Sequence, residues 1–142
     1  MSSYLNIYLQ KKKKEGEEKG ERLLLCSISR VNNIYSIFYE NNIGKPVDDR
    51  FHEFTAEDLD PVIDDLTERI SATLIDIAHA KEMLPLLSEK NSIAETMDSL
   101  KSDKSYYQDL MSERTTIMTL GSLLADISES WCDFDKLYWK ID

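Results

Sequence analysis

Two long apolar stripes constrain this chain more than any other feature of its sequence. In each stripe the spacing alternates between four and three residues, which is the 3.5-residue repeat of supercoiled helix pairs. The first stripe consists of Leu59, Ile63, Leu66, Ile70, Thr73, Ile77, Ala80 and Leu84. The second consists of Tyr106, Leu110, Glu113, Ile117, Leu120, Leu124, Ile127 and Trp131. Two stripes of equal length predict two helices, each about 38 Å long, that pair as an antiparallel coiled-coil hairpin.

The first hairpin helix has two candidate starting points. Thr55 followed by Asp58 is a weak capping box, whereas Asp60 followed by Pro61 offers a start with proline in the first turn. Both kinds of start are common in helices, so the sequence leaves the choice between them open.

The connector between the stripes, residues 86–105, also carries helix signals. Ser92 and Glu95 form one capping box, and Ser105 and Gln108 form another. We expect a short separate helix at the far end of the hairpin, out of phase with the second stripe. One continuous helix from Ser92 is the alternative.

Three segments outside the stripes alternate apolar and polar residues, which is the period of a half-buried β-strand. Their apolar residues are Leu5, Ile7 and Leu9; Leu24, Cys26 and Ile28; and Leu137, Trp139 and Ile141. The charged run of residues 11–21 between the first two segments is typical of a loop. These segments predict a three-stranded antiparallel sheet.

A short helix is predicted after the second strand. Val31, Ile34, Tyr35 and Phe38 share one helical face, and Ser29 is a candidate cap. A left-handed stop is expected in residues 41–44, and residues 44–54 are expected to form an irregular connector.

The predicted fold class is α+β and helix-dominated. An antiparallel coiled-coil helical hairpin projects from a small three-stranded antiparallel sheet, against which one short helix packs. Residues 1–142 are expected to be a single domain. In it, residues 1–54 and 132–142 form the base and residues 55–131 form the arm.

The charge balance opposes general nucleic-acid binding. The chain has 17 basic and 27 acidic residues, a formal net charge of −10, so it repels phosphate. The chain contains no run of about 18 apolar residues that could span a membrane, and its early lysines follow an apolar segment, the reverse of a secretory signal. We therefore expect a cytoplasmic protein without membrane or direct nucleic-acid contact, which is also compatible with residence in a virion.

Acidic residues gather in the middle of the chain. The cluster includes Asp48, Asp49, Glu57, Asp58, Asp60, Asp64, Asp65 and Glu68. A solubilising surface explains such a cluster. The sharper hypothesis is an acidic inhibitor that mimics nucleic acid and blocks a basic, DNA-binding host protein.

Motifs for catalysis or metal binding are weak. Only His52 and His79 are available as imidazole bases, and the isolated glycines form neither a nucleophile elbow nor a phosphate loop. Asp76 and His79 form half of a di-metal motif without a second copy. Cys26 and Cys132 are interpreted as buried thiols. We expect no catalytic residue, no metal and no cofactor.

Three segments of the chain, MSSYLNIYL, LLLCSISR running into NIYSIFYE, and FTAEDLDPVIDDL, resemble small uncharacterised proteins of tailed bacteriophages and prophages of gut bacteria. The resemblance implies a phage context and supplies no functional residues.

The leading hypothesis is a non-enzymatic structural or protein-interaction protein, in a phage context a virion component or assembly factor. Apolar residues expected at the tip of the arm would contact a protein partner or a second copy in a homo-oligomer. These residues are Met97, Leu100, Tyr106, Tyr107 and Met111.

Overall fold

The computed structural model describes residues 3–16, 20–129 and 134–142. Within them the elements are β1 Tyr4–Lys11, β2 Arg22–Ser29, α1 Asn33–Asn41, β3 Lys45–Pro46, β4 His52–Phe54, α2 Asp60–Met83, α3 Lys90–Glu129 and β5 Phe134–Ile141. The predicted α+β class is confirmed. In the described part of the chain, no helix is long and apolar enough to cross a membrane.

The chain divides into two compact units. The sheet unit comprises Met1–Ile63 and Thr116–Asp142, and the helical unit comprises Asp64–Thr115. The sheet unit therefore includes the first residues of α2 and the last part of α3. Within it, the Cβ position of Gly121 lies 4.0 Å from Leu59 Cδ1, so α3 passes close to the start of α2.

The described strands form one antiparallel sheet in the order β2-β1-β5-β4-β3. The prediction of three strands is wrong, because β3 and β4 add two strands from the region expected to be irregular. At two and three residues, these strands are too short to show a period of two. The prediction that the last segment belongs to the same antiparallel sheet as the first is correct, since β5 pairs with β1 and β4.

Strand β1 buries one face and leaves the other for polar and aromatic side chains. Leu5, Ile7 and Leu9 are all buried, as their alternation predicts. In β5, Leu137 lies opposite Leu9 and Trp139 lies opposite Ile7. The two strands thus present one continuous apolar face to the core.

Strand β2 contains an irregularity that its sequence pattern does not reveal. Ile7 pairs with Cys26, but the next residue, Tyr8, pairs with Leu24, so Leu25 is an extra residue. This bulge puts Leu24 on the face opposite Cys26, where it is 57% exposed. The predicted common face of Leu24, Cys26 and Ile28 is therefore wrong at Leu24.

Helix α1 packs through Ile34, Ile37 and Phe38, all of which are buried. Its cap is Asn32, whose side chain accepts a hydrogen bond from the Ile34 N–H at 2.9 Å. Ser29 is therefore not the cap, and Val31 is exposed rather than part of the buried face. The predicted left-handed stop occurs at Asn42, where φ is 46°.

Trp139 joins several elements at the core of the sheet unit. Its indole N–H donates a 2.7 Å hydrogen bond to the Ile43 carbonyl. Phe38 meets the Trp139 ring edge-on at a centroid distance of 5.6 Å, and it meets Phe54 at 5.9 Å. The close approach of β4 also explains Gly44, because a Cβ there would overlap the Glu53 carbonyl oxygen.

The two long helices differ in length. Helix α2 has 24 residues and begins at Asp60, one of the two predicted starts, after a single 3-10 turn over Glu57–Leu59. The Asp58 carboxylate accepts hydrogen bonds from the Thr55 N–H and hydroxyl at 2.8 and 3.1 Å, so the predicted capping box supports that turn.

Helix α3 is one continuous helix of 40 residues. The separate short helix is therefore wrong, and the continuous alternative is the observed one. The Glu89 carboxylate accepts hydrogen bonds from the Ser92 N–H and hydroxyl, both at 2.8 Å, and caps the helix start. No proline or glycine interrupts the chain between residues 90 and 120, so nothing in the backbone stops the helix there.

Both apolar stripes show buried positions. In the first stripe Leu59, Leu66, Ile70, Thr73 and Ile77 are buried. In the second stripe Leu110, Glu113, Ile117, Leu120 and Leu124 are buried. Trp131 and Cys132 lie outside the described residues, and the Ile127 side chain is likewise not described.

Replacing Phe38 tests the aromatic core of the sheet unit. Phe38→Ala removes a fully buried ring from two aromatic contacts, and we expect it to lower the free energy of unfolding by about 3–5 kcal/mol. Tyr39→Ala, at the exposed neighbouring position, should change it by less than about 0.5 kcal/mol. Urea unfolding followed by circular dichroism measures both values, and equal effects would contradict the described core.

Candidate functional site

Four of the five residues predicted to contact a partner share one side of α3. Met97, Leu100, Tyr107 and Met111 recur at helical spacing, and Ile93 extends the row toward the helix start. We call Ile93, Met97, Leu100, Tyr107 and Met111 the α3 stripe. The row from Met97 to Met111 runs along about 21 Å of helix, because each residue advances the helix by about 1.5 Å.

The α3 stripe is displaced by one residue from the buried side of the helix. Met111 directly follows Leu110, which is buried, and Tyr107 directly follows Tyr106, which belongs to the second apolar stripe but is 36% exposed. One residue corresponds to about 100° around a helix, so the α3 stripe flanks the buried side. Met97 is 56% exposed and Met111 is 38% exposed. Ile93, Leu100 and Tyr107 are half-buried, so Met97 and Met111 are the members of the row that solvent reaches most.

The α3 stripe is not gathered at the turn between the helices, as the sequence led us to expect. Helix α3 begins at Lys90, and Met111 lies 21 residues further along it. The predicted tip was inferred from a break near Ser105, and that break does not exist. The same residues instead form an elongated row.

Tyr106 is separate from the α3 stripe. Its hydroxyl lies beside the Arg69 guanidinium of α2. Burial lowers the pKa of Arg69, but hydrogen bonds from its guanidinium to Asp65 and Tyr106 outweigh that effect and raise the pKa overall. The Arg69 Nε atom lies 2.6 Å from the Asp65 carboxylate. Tyr106 therefore belongs to the contact between the two helices.

The predicted acidic surface includes several carboxylates that already have partners inside the protein. Asp48 pairs with Arg22 at 3.2 Å, Asp58 caps the 3-10 turn, and Asp65 pairs with Arg69. The remaining members are exposed: Asp49, Glu57, Asp60, Asp64 and Glu68. They belong to both units: Asp49, Glu57 and Asp60 to the sheet unit, and Asp64 and Glu68 to the helical unit.

A groove of about 420 Å³ lies between α2 and α3 within the helical unit. Its lining residues with an acid or imidazole group are Asp76, His79, Glu95 and Asp103, and its other lining residues are Ala80, Met83, Leu87, Thr96 and Ser99. No three histidine, cysteine or acidic side chains of the described residues are grouped so that they could hold a metal ion. The groove thus places the Asp76 and His79 pair without adding the ligands of a metal centre.

The loop that carries Asp48, Asp49, His52 and Glu53 does not gather these side chains. Glu53 forms an ion pair with Lys136 at 3.3 Å, whereas His52 stacks on Trp139 with ring centroids 4.1 Å apart. Neighbouring residues of a strand point to opposite faces of the sheet, which explains the separation of His52 from Glu53.

The face of the sheet opposite the core carries a cluster centred on Arg22. The guanidinium carbon lies 4.3 Å from the centroid of the Phe51 ring and 4.2 Å from that of Tyr138. Its Nε–H donates a 3.0 Å hydrogen bond to Gln10, and a terminal nitrogen lies 3.2 Å from Asp48. These contacts bury Tyr138 on a face that the alternation alone would leave to solvent.

The turn before β4 brings Phe51 onto this cluster. Asp49 and Arg50 have positive φ angles of 47° and 65°, and the Phe51 N–H donates a 2.8 Å hydrogen bond to the Asp48 carbonyl. The sequence did not predict the cluster, because its members are separated by as many as 128 positions, from Gln10 to Tyr138. The only local signal was an arginine at the start of an apolar strand.

Two titratable side chains of the sheet unit have pKa values shifted by burial. Burial lowers the pKa of His52, which the Arg50 carbonyl counteracts in part. The His52 Nδ1 atom is buried and makes no hydrogen bond of ordinary geometry within the described residues, so the contact with the Arg50 carbonyl is a weak one. Burial also raises the pKa of the Cys26 thiol, which is half-buried. A raised thiol pKa disfavours the reactive thiolate.

No protein-family model, curated protein or solved structure matches this chain.

Replacing Arg22 tests the cluster on the outer face of the sheet. Arg22→Lys keeps the charge but loses the planar group between two rings, so we expect the free energy of unfolding to fall by about 1–2 kcal/mol. Arg30→Lys makes the same change at an exposed arginine and should alter it by less than about 0.5 kcal/mol. Chemical denaturation gives both numbers, and indistinguishable variants would refute the role of the planar contact.

Acidification tests the environment of His52. The pKa of His52 in the folded protein lies below its ordinary value of 6.5, so the unfolded chain binds the proton more readily. Its contribution to stability is complete above about pH 6.5 and declines as the pH falls below it. Between about pH 7.5 and about pH 5.5 the wild type should lose more stability than His52→Gln, measured by urea unfolding. Parallel pH profiles would count against this assignment.

Proposed function

We propose that this chain is a non-enzymatic structural or interaction protein that docks on a protein partner through the α3 stripe. The observation that carries the proposal is the apolar row from Ile93 to Met111, in which Met97 and Met111 are exposed, whereas Leu110 beside Met111 is buried. Exposed apolar rows of this kind are typical of helix-docking surfaces. Methionine suits such a surface because its flexible side chain adapts to a partner.

The proposal includes antiparallel coiled-coil pairing of α2 and α3. The 3.5-residue spacing of the buried positions in both helices supports this packing. So does the contact of Arg69 with Tyr106. The groove is consistent with it too, because Met83 near the end of α2 and Glu95 near the start of α3 line the same space. Such pairing would hold the α3 stripe on a rigid support.

The charges beside the α3 stripe indicate the chemistry of the partner. Exposed Lys104 and half-buried Arg114 continue the spacing of the stripe, so the row is locally basic, chiefly at Lys104, in a chain with a net charge of −10. An amphipathic helix with apolar and acidic residues on one face complements such a row. A virion component or assembly factor of a phage would use it in this way, a context that rests on the resemblance of three sequence segments.

The alternative function is an acidic mimic of nucleic acid that binds a basic host protein. Its support is the set of exposed acids, Asp49, Glu57, Asp60, Asp64 and Glu68. Asp48, Asp58 and Asp65 contribute less to such a surface because they already interact within the protein. The apolar row therefore carries the leading proposal, and salt dependence separates it from the alternative.

Site-specific photo-crosslinking tests docking through the α3 stripe. A photoreactive benzoylphenylalanine at Met111 should form a discrete adduct with one polypeptide in cells that produce the protein. The same probe at exposed Ser102, about 180° around the helix, should not. Adding Met97→Glu should reduce the Met111 adduct about tenfold, because a carboxylate buried against the apolar and acidic residues of the partner costs more than 1 kcal/mol of binding. Ser102→Glu is the matched control and should leave the yield unchanged.

Other outcomes would overturn docking through the α3 stripe. Equal adducts at Met111 and Ser102, or no adduct at either, would contradict it. An adduct that survives Met97→Glu but disappears in Glu68→Lys and at raised salt would instead establish the acidic alternative. Circular dichroism of each variant confirms that the helices remain folded.

A further inference from the structure

The two edges of the sheet differ in what they offer to another strand. Strand β3 at one edge has only Lys45 and Pro46, and proline lacks the N–H needed for pairing. Strand β2 at the other edge has eight residues, contains no proline and pairs with β1 alone within the described sheet. A long edge strand of this kind is a template for strand addition.

The hydrogen bonds to β1 show which β2 residues point toward the outer edge. The Lys11 N–H donates to the Glu21 carbonyl at 2.8 Å, and the Arg30 N–H donates to the Ser3 carbonyl at 3.3 Å. Main-chain groups alternate in direction along an antiparallel strand, and the bulge at Leu25 shifts this alternation by one residue. The residues with outward main-chain groups are therefore Arg22, Leu24, Ser27 and Ser29.

The bulge makes this outward set symmetric. Arg22 and Ser29, and likewise Leu24 and Ser27, are equally distant from the midpoint between Leu25 and Cys26. In a regular strand, two residues equally distant from such a midpoint point in opposite directions. The extra residue removes that conflict, so β2 can pair antiparallel with an identical strand about this midpoint.

Side chains along β2 match the same symmetry. Glu21 and Arg30 are also equally distant from the midpoint, both are exposed, and they carry opposite charges. In a two-fold pair each Glu21 lies opposite Arg30 of the second copy, which gives two ion pairs. Leu24 and Leu25 are exposed at the centre, at 57% and 41%, and would lose solvent contact on pairing.

We propose that β2 is a dimerisation edge, where it pairs antiparallel with β2 of a second copy about a two-fold axis between Leu25 and Cys26. Leu24 then exchanges main-chain hydrogen bonds with Ser27 of the second copy, and the two sheets become continuous. The Ser29 carbonyl already accepts a 3.0 Å hydrogen bond from the Asn32 N–H, so the Leu24 and Ser27 pairs are the centre of the interface. This surface shares no residue with the α3 stripe.

Charge reversal at the ends of β2 tests the dimer. Sedimentation velocity from about 1 to 500 µM covers the range of weak self-association. Salt at about 0.15 M limits repulsion to about 8 Å, which matters because each chain carries −10. Glu21→Arg and Arg30→Glu should each weaken the wild-type dimer roughly tenfold, since each places two like-charged pairs across the interface.

The double variant Glu21→Arg with Arg30→Glu provides the decisive comparison. It restores opposite charges across the interface, so its dissociation constant should return to within about threefold of the wild type. Glu40→Arg makes the same charge change at an exposed position on α1 and should leave the dimer unaffected. A wild type that stays monomeric, single variants without effect, or a double variant weaker than both singles would each overturn the proposal.

Discussion

The position of β5 between β1 and β4 is the constraint on which the sheet unit depends. Because β5 is the last of the described strands in sequence order, the described sheet is complete only when residues 134–141 insert between two strands that lie within residues 4–54. Trp139 shows what this insertion brings together: its indole N–H donates to Ile43, and its ring meets His52 and Phe38. A core that joins both ends of the chain requires contacts between distant residues before it gains stability.

Regular periodicity made part of this fold predictable, whereas the short and irregular elements could not be predicted from the sequence. The alternation of β1 and β5 was legible because each extends over eight residues. The presence of α1 was predicted, but its buried face only in part, since Val31 is exposed and Ile37 is buried. Strands β3 and β4 were missed because two or three residues carry no periodic signal. The bulge at Leu25 was missed because a pattern of adjacent leucines fits either register of β2.

In the helical unit too, the regular spacing of apolar residues was informative, whereas the predicted helix breaks were wrong. The 3.5-residue spacing correctly identified buried positions such as Leu66, Ile70 and Leu110. Capping boxes at Ser92 and Ser105 suggested breaks, but such side chains also occur inside helices, and α3 continues through both. Because α3 is continuous, four of the five residues of the predicted tip lie instead along one side of this helix. Their grouping in space depended on helix continuity, which a local motif does not determine.

Both candidate contact surfaces arise from apolar residues displaced by one position from a buried pattern. In β2 the extra residue Leu25 turns Leu24 outward, and on α3 the exposed Met111 follows the buried Leu110. A one-residue displacement reverses the direction of a strand side chain but rotates a helix side chain by only about 100°. The strand edge thus offers main-chain groups that an identical strand can satisfy, whereas the helix offers only side chains. Self-pairing therefore suits β2, and recognition of a different partner suits α3.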